Sequence, residues 1–341
     1  MRKIFVAGII FLFLSSCSTD FAVTTDWQDI TIVYGLLDKS DTASYIKINK
    51  AFLDPTTSAY TIAQIPDSLF YNDLTVELQE YNGTLLVKTI ELNKVDGNDE
   101  GLVKDTGIFA QSPNYLYKTK EVLNQSHTYK LLVTKPDNGK QITASTAIID
   151  DFSILRPTNT LKINMLPGLK YNVDWFSAKD GKIYDLIIRF HYSEYKFSDS
   201  NFKEDKYLDW TIFTNLASNS TIGNVEMFFD IPCDNLYTFL SANIADDADR
   251  FRVTKKMDFM FSVGGEVLDT YNQVTIAQQG LTSGQVLPTY TNIENGLGLF
   301  SSRYHKNVLS IPLDQRTIDS IACYSVTHQL NFLRNDSTLC P

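Results

Sequence analysis

The feature that most constrains this chain is a repeated one: an alternating run, a turn signal, and a second alternating run. Leu74–Tyr81 (LTVELQEY) and Thr84–Leu92 (TLLVKTIEL) flank Asn82-Gly83. Asn-Gly supplies the positive φ angles of a two-residue type I′ turn, so the spacing predicts a tight hairpin. Thr128–Thr134 (TYKLLVT) and Gln141–Ile149 (QITASTAII) flank Pro136-Asp-Asn-Gly-Lys140 in the same way. Period-two alternation puts one face of each strand in a core and the other toward water.

The rest of the chain extends that pattern. Ile30–Leu37 (ITIVYGLL) reads as a buried strand, Asp38–Asp41 as a turn and Ser44–Asn49 as a half-buried strand. Thr57–Gln64 suits a short helix ended by Pro66. Tyr171–Trp175 and Ile183–Tyr192 alternate around the turn Lys179-Asp-Gly181, which predicts a third hairpin with Trp175 in its core. Ser198–Asp205 reads as a polar loop and Phe251–Val263 as a strand. Asn235–Asn243 can be helical behind Asp234 as its cap. Asp314 caps a last helix through Cys323, with Ile318, Ile321 and Ala322 on one face. Asp150-Asp151, Pro157 and Pro167 interrupt the pattern, which sets a boundary near residue 153. The expected fold is mainly β: two antiparallel β-sandwich domains, immunoglobulin- or fibronectin-like, over residues 30–152 and 153–341, with a few short helices. Tyr129 stands where such folds carry a corner tyrosine.

The N-terminus sets the expected compartment. Arg2 and Lys3 precede Ile4–Leu14, an uncharged apolar run of 11 residues. A membrane-crossing helix needs about 20, whereas a run of this length suits the core of a signal peptide. Leu14-Ser-Ser-Cys17 has the form of a bacterial lipobox. Residues 1–16 are then the signal peptide, Cys17 the lipidated residue, and residues 17–29 a polar tether. Two or three acyl chains anchor stably where one would not. Ser18 rather than Asp after the cysteine favours the outer membrane. Removing Arg2 and Lys3 leaves 28 basic residues against 40 acidic and moves the net charge from −10 to −12. A surface so acidic excludes nucleic acid as a partner.

Little in the sequence carries chemistry. There is no GxSxG, HExxH or glycine-rich phosphate loop, and His127, His191, His305 and His328 are scattered. Asp96-Gly-Asn-Asp-Glu-Gly101 begins like a calcium loop, but the twelfth place holds Gly107 instead of the bidentate Glu. It reads as a solvated turn, as does the cluster Asp246, Asp247 and Asp249. No metal and no cofactor is expected. Trp210 is an exposed candidate for stacking on a sugar, and Trp27 another. Besides Cys17 the thiols are Cys233, Cys323 and Cys340. An odd number in an oxidising compartment leaves one unpaired. A Cys323–Cys340 bridge would tie down the tail and leave Cys233 buried and free; Cys233 with Cys323 is the alternative.

Several segments together resemble a family of Bacteroidetes cell-envelope lipoproteins of unknown function (DUF4249-like). They are the lipobox, Ile30–Leu37, Tyr45–Phe52 (YIKINKAF), Phe259–Glu266 (FMFSVGGE) and Tyr290–Phe300 (YTNIENGLGLF). The resemblance implies a β-rich envelope protein near a TonB-dependent transporter and carries no catalytic residues. Asp-Ser/Thr triplets match the O-glycosylation pattern of exported Bacteroidetes proteins, with Thr42 and Ser68, in expected loops, as the better sites and Ser320, in an expected helix, the worst. Leu287–Arg303 (LPTYTNIENGLGLFSSR) admits two accounts. It threads into the core with Ile293, Leu297, Leu299 and Phe300 buried, or it offers Tyr290, Asn292 and Glu294 to a partner. The functional expectation is a non-enzymatic binding or accessory module, anchored to the outer membrane and partnered by a transporter or another envelope protein. The alternative is an envelope hydrolase acting on glycan or peptide.

Overall fold

The computed structural model describes residues 30–51, 57–279 and 290–341. The signal peptide, Cys17, the tether and Trp27 lie outside them. The N-terminal strands are β1 (Thr31–Leu37), β2 (Ser44–Lys50), β3 (Thr75–Asn82), β4 (Leu85–Glu91), β5 (Asn93–Asp96), β6 (Tyr115–Thr119), β7 (Thr128–Thr134) and β8 (Gln141–Ala147). Then come β9 (Ile154–Arg156), β10 (Lys170–Phe176), β11 (Ile183–Lys196), β12 (Lys203–Ala217), β13 (Glu226–Pro232), β14 (Arg250–Gly264) and β15 (Gly296–Pro312). The helices are α1 (Ala59–Ala63), α2 (Pro66–Leu69), α3 (Asp234–Asn243), α4 (Glu266–Gln279) and α5 (Gln315–Cys323). The chain is mainly β and of the β-sandwich type. No helix among the described residues is long and apolar enough to cross a membrane.

An eight-stranded sheet runs β12-β11-β14-β15-β1-β2-β6-β5. Its β1–β2 end packs on the four-stranded sheet β4-β3-β7-β8, and its β11–β14 end on β13-β10-β9. Alternation puts Val33, Leu37, Ile46 and Ile48 opposite Val76, Leu78, Leu131, Val133 and Ile142 in the first core. Burying each such side chain stabilises by about 1.5–3 kcal/mol. The second core holds Leu186, Ile188, Phe259 and Phe261 against Val173, Trp175 and Ile231, closed by Leu236 and Leu240 of α3 and Ile321 of α5. Tyr129 is fully buried, and its hydroxyl accepts from the Asn124 amide at 2.7 Å, the hydrogen bond a tyrosine corner makes.

One strand serves both sandwiches. Gly296–Ser302 of β15 pairs parallel with β1, and the rest of β15 pairs antiparallel with β14. The two cores interleave in sequence: Ile149 and Phe152 join the second core, and Ile293 and Phe300 join the first. The close approach to β1 explains a glycine: Gly298 has φ +115°, and a Cβ there would stand 1.9 Å from the Val33 carbonyl oxygen. No L side chain fits that position.

Three local expectations are corrected. Asn82 pairs with Leu85, so the first hairpin loop is Gly83-Thr84, with positive φ at Gly83. That is the type II′ pattern, reached because a bulge at Glu80/Tyr81 shifts the register by one. Tyr171–Trp175 and Ile183–Tyr192 do not form a hairpin. β10 and β11 lie in different sheets and face each other across the core, so the Lys179–Gly181 turn is an arch between layers. Pro66 does not merely end a helix but starts α2, where a missing N–H costs nothing. Helix α4 has no counterpart among the sequence expectations; Val267, Tyr271 and Val274 give it only a short apolar stripe.

Candidate functional site

A cleft with largely apolar walls lies on the outer face of β1 and β2. Ile32 pairs with Asn49 and Tyr34 with Lys47, so four outward side chains from two cross-strand pairs form its floor. Ile32 is half-buried and Tyr34 is exposed on this face. Leu69 of α2 forms one wall, and the loop Lys104–Gln111 forms the other through Gly107 and Phe109. The loop is held by its own hydrogen bonds. Lys104 Nζ donates to Ala110 O at 2.7 Å, Gln111 Nε2 to Asp105 O at 3.2 Å, and Ala110 N to Ala63 O at 2.8 Å. The Gln64 side-chain amide donates to Ile108 O. The enclosed space is about 660 Å³, within the range of small-molecule sites.

Three lysines face this space: Lys47, Lys50 and Lys104. Lys47 Nζ reaches Asn114 Oδ1 at 3.5 Å, and Lys50 Nζ donates to Asp67 O at 3.2 Å. Lys50 also lies over the Tyr71 ring and Lys104 over Phe70. Among the described residues none of the three has a carboxylate at salt-bridge distance. Burial holds the Lys47 ammonium below the ordinary lysine range. Burial does the same to Lys104, and the positive charge of Lys47 adds to it, with Asp96 opposing. Asn49 Oδ1 is buried without a hydrogen-bond partner among the described residues. At the mouth, burial and a hydrogen bond with Tyr271 of α4 push the Tyr34 hydroxyl up to about 12.

The residues singled out in sequence lie elsewhere. Thr42 is exposed in the β1–β2 turn, while Ser68 is half-buried inside α2 rather than in a loop. Cys323 and Cys340 are bonded, with Cα atoms 5.3 Å apart, and Cys233 is buried and free. Burial, with help from Asp234, pushes its thiol up to about 11.

The segment around residue 292 engages its polar groups within the chain, with Asn292 half-buried and Glu294 exposed. The Asn292 amide donates to Phe300 O at 2.7 Å and accepts from Phe300 N at 2.9 Å. Glu294 exchanges backbone hydrogen bonds with Thr143 and accepts from its hydroxyl at 2.6 Å. Tyr290 is half-buried. Ile293, Leu299 and Phe300 are buried, but Leu297 is 36% exposed, because it alternates away from the core that Phe300 enters.

Three histidines sit on carboxylates: His127 on Glu80 at 2.6 Å, His191 on Asp258 at 2.7 Å and His305 on Asp38 at 2.6 Å. Asp38, Asp41 and His305 gather three potential ligand atoms within 4.8 Å of one another. Arg303 already occupies that cluster, 3.7 Å from Asp38 and 3.1 Å from Asp41. Asp96 accepts from the Asn98 and Asn114 amides, as a turn residue does. Asp247 pairs with Arg250, and Asp249 accepts from Ser198. Trp210 is half-buried and stacks on Phe239.

Sequence reasoning missed the cleft. The available signal was Tyr34 among the inward-outward positions of β1, beside Lys47, Asn49 and Lys50. No family model matches this chain, and no curated protein sequence does either.

Proposed function

We propose that this chain is a non-enzymatic binding or accessory module, carried on the outer membrane by a lipid on Cys17 and working beside an envelope partner such as a TonB-dependent transporter. The cleft between β1–β2, α2 and the Lys104–Gln111 loop is the observation that carries the reading: apolar walls and three lysine heads with no carboxylate at salt-bridge distance among the described residues. Each ammonium has a neutral hydrogen-bond partner and lacks a counter-charge, which a bound anion supplies. Glycoside hydrolysis needs two converging carboxylates, whereas Asp105 is the one carboxylate lining this space among the described residues. The lipobox supports the location, and the resemblance to Bacteroidetes lipoproteins agrees with it.

The test has two arms. Metabolic labelling with a fatty-acid analogue marks the wild type and not Cys17→Ala; label kept by that variant removes the anchor from the reading. Ile32→Trp fills the cleft floor from a position outside the core. Native protein purified from membranes brings down partner or ligand that Ile32→Trp, folded to the same melting temperature, does not. Equal capture by both refutes the cleft.

A further inference from the structure

The cleft's charge and shape together specify a class of ligand. The protein as a whole is strongly acidic, with a net charge of −10, so a cleft lined by three lysines and one carboxylate, Asp105, with none of the three in a salt bridge among the described residues, is a local exception. Lys47 stands on the floor beside Asn49, and Lys104 is near enough to feel its charge. Like charges brought together in a partly dry cleft repel, and one anion between them relieves the repulsion. Ile32, Tyr34, Leu69 and Phe109 continue from these heads as apolar wall, which a bare inorganic anion cannot cover.

We propose that the cleft binds an organic anion with an apolar body, its carboxylate or phosphate head between Lys47 and Lys104 and its body against Ile32, Tyr34, Leu69 and Phe109. This deepens the binding reading and rests on it.

Fluorescence titration with two probes of similar size tests the assignment: anionic 1-anilinonaphthalene-8-sulfonate and neutral N-phenyl-1-naphthylamine. The wild type binds the anionic probe more tightly, and rising salt weakens that binding. Lys47→Gln with Lys104→Gln lowers affinity for the anionic probe by about tenfold or more, as loss of charged hydrogen bonds does, and leaves the neutral probe unchanged. Ile32→Trp blocks both. Inorganic phosphate does not displace the anionic probe at comparable concentration. Equal binding of both probes, unaffected by the lysine changes, overturns the anion while leaving a binding cleft. Displacement by phosphate alone overturns the apolar body. Two probes that ignore Ile32→Trp overturn the inference and the cleft together. Melting curves of all variants confirm that each outcome refers to folded protein.

Discussion

At the scale of single residues, two positions separate folding from function. Gly298 is fixed by backbone: φ of +115° and the Val33 carbonyl exclude a side chain. Gly298→Ala is expected to cost about 3 kcal/mol or more, since strain in a sparsely populated region adds to a steric clash. Urea titration measures it, and an unchanged midpoint refutes the close pairing of β15 with β1. Lys47 works the other way. Its ammonium is disfavoured by burial and has no counter-charge among the described residues. Lys47→Met is expected to stabilise by about 0.5–1 kcal/mol near neutral pH, the range typical of relieving a functional compromise. The sign follows from linkage. A lysine whose folded pKa lies below the unfolded value is a liability while charged, and the liability fades as pH rises through the folded pKa. The advantage of Lys47→Met therefore shrinks in alkaline buffer, as melting temperatures across pH show.

At the scale of elements, the segment from Asn292 to Phe300 is structural. It leaves β8 through the Glu294–Thr143 bridge, crosses the edge of the first core and enters β15. Phe300→Ala is expected to cost about 3–5 kcal/mol. Asn292→Ala orphans both backbone groups of Phe300 and is expected to cost about 1–3 kcal/mol. Chemical denaturation checks both, and a neutral Asn292→Ala would restore the partner-binding account of this segment. The Cys323–Cys340 bridge closes a loop of sequence separation 17 between α5 and the tail. Cys340→Ser is expected to lower stability by roughly 3 kcal/mol in the chain-entropy model, and matched melts with and without reductant measure it.

Elements of this kind were unevenly legible in the sequence. β7 and β8 could be read because alternation and a Pro-Asp-Asn-Gly turn agree. The Trp175 arch could not, because two strands in one sheet and two strands facing across a core show the same alternation. The cleft was hidden for a related reason. Its floor, one wall and its roof come from β1–β2, α2 and a loop more than fifty residues downstream, and period-two patterning does not say what covers an outward face.

At the scale of the molecule, β15 joins the halves and a charged seam runs beside it. Asp38, at the end of β1, accepts from His305 and Ser40. Burial raises its pKa, yet these hydrogen bonds outweigh burial and hold the carboxyl below the ordinary range. Asp258 is placed similarly: burial is opposed by the Ser310 amide and His191. A depressed carboxylate contributes stability that is full above the unfolded value of about 3.9 and is lost as pH falls through the folded one. Melting temperature should therefore fall steeply below about pH 4, and Asp38→Asn should soften that acid limb. A limb unchanged by Asp38→Asn rules out the seam as its source. The place of β1 has a mechanical consequence as well. It lies between β15 and β2, hydrogen-bonded along both edges, and it is the first strand among the described residues. A pull along the chain at residue 30 loads both ladders in shear, so their bonds must fail together. An edge strand such as β4 would unzip one bond at a time. Traction applied at residue 30 therefore meets the chain at an interior strand of its eight-stranded sheet, where it resists.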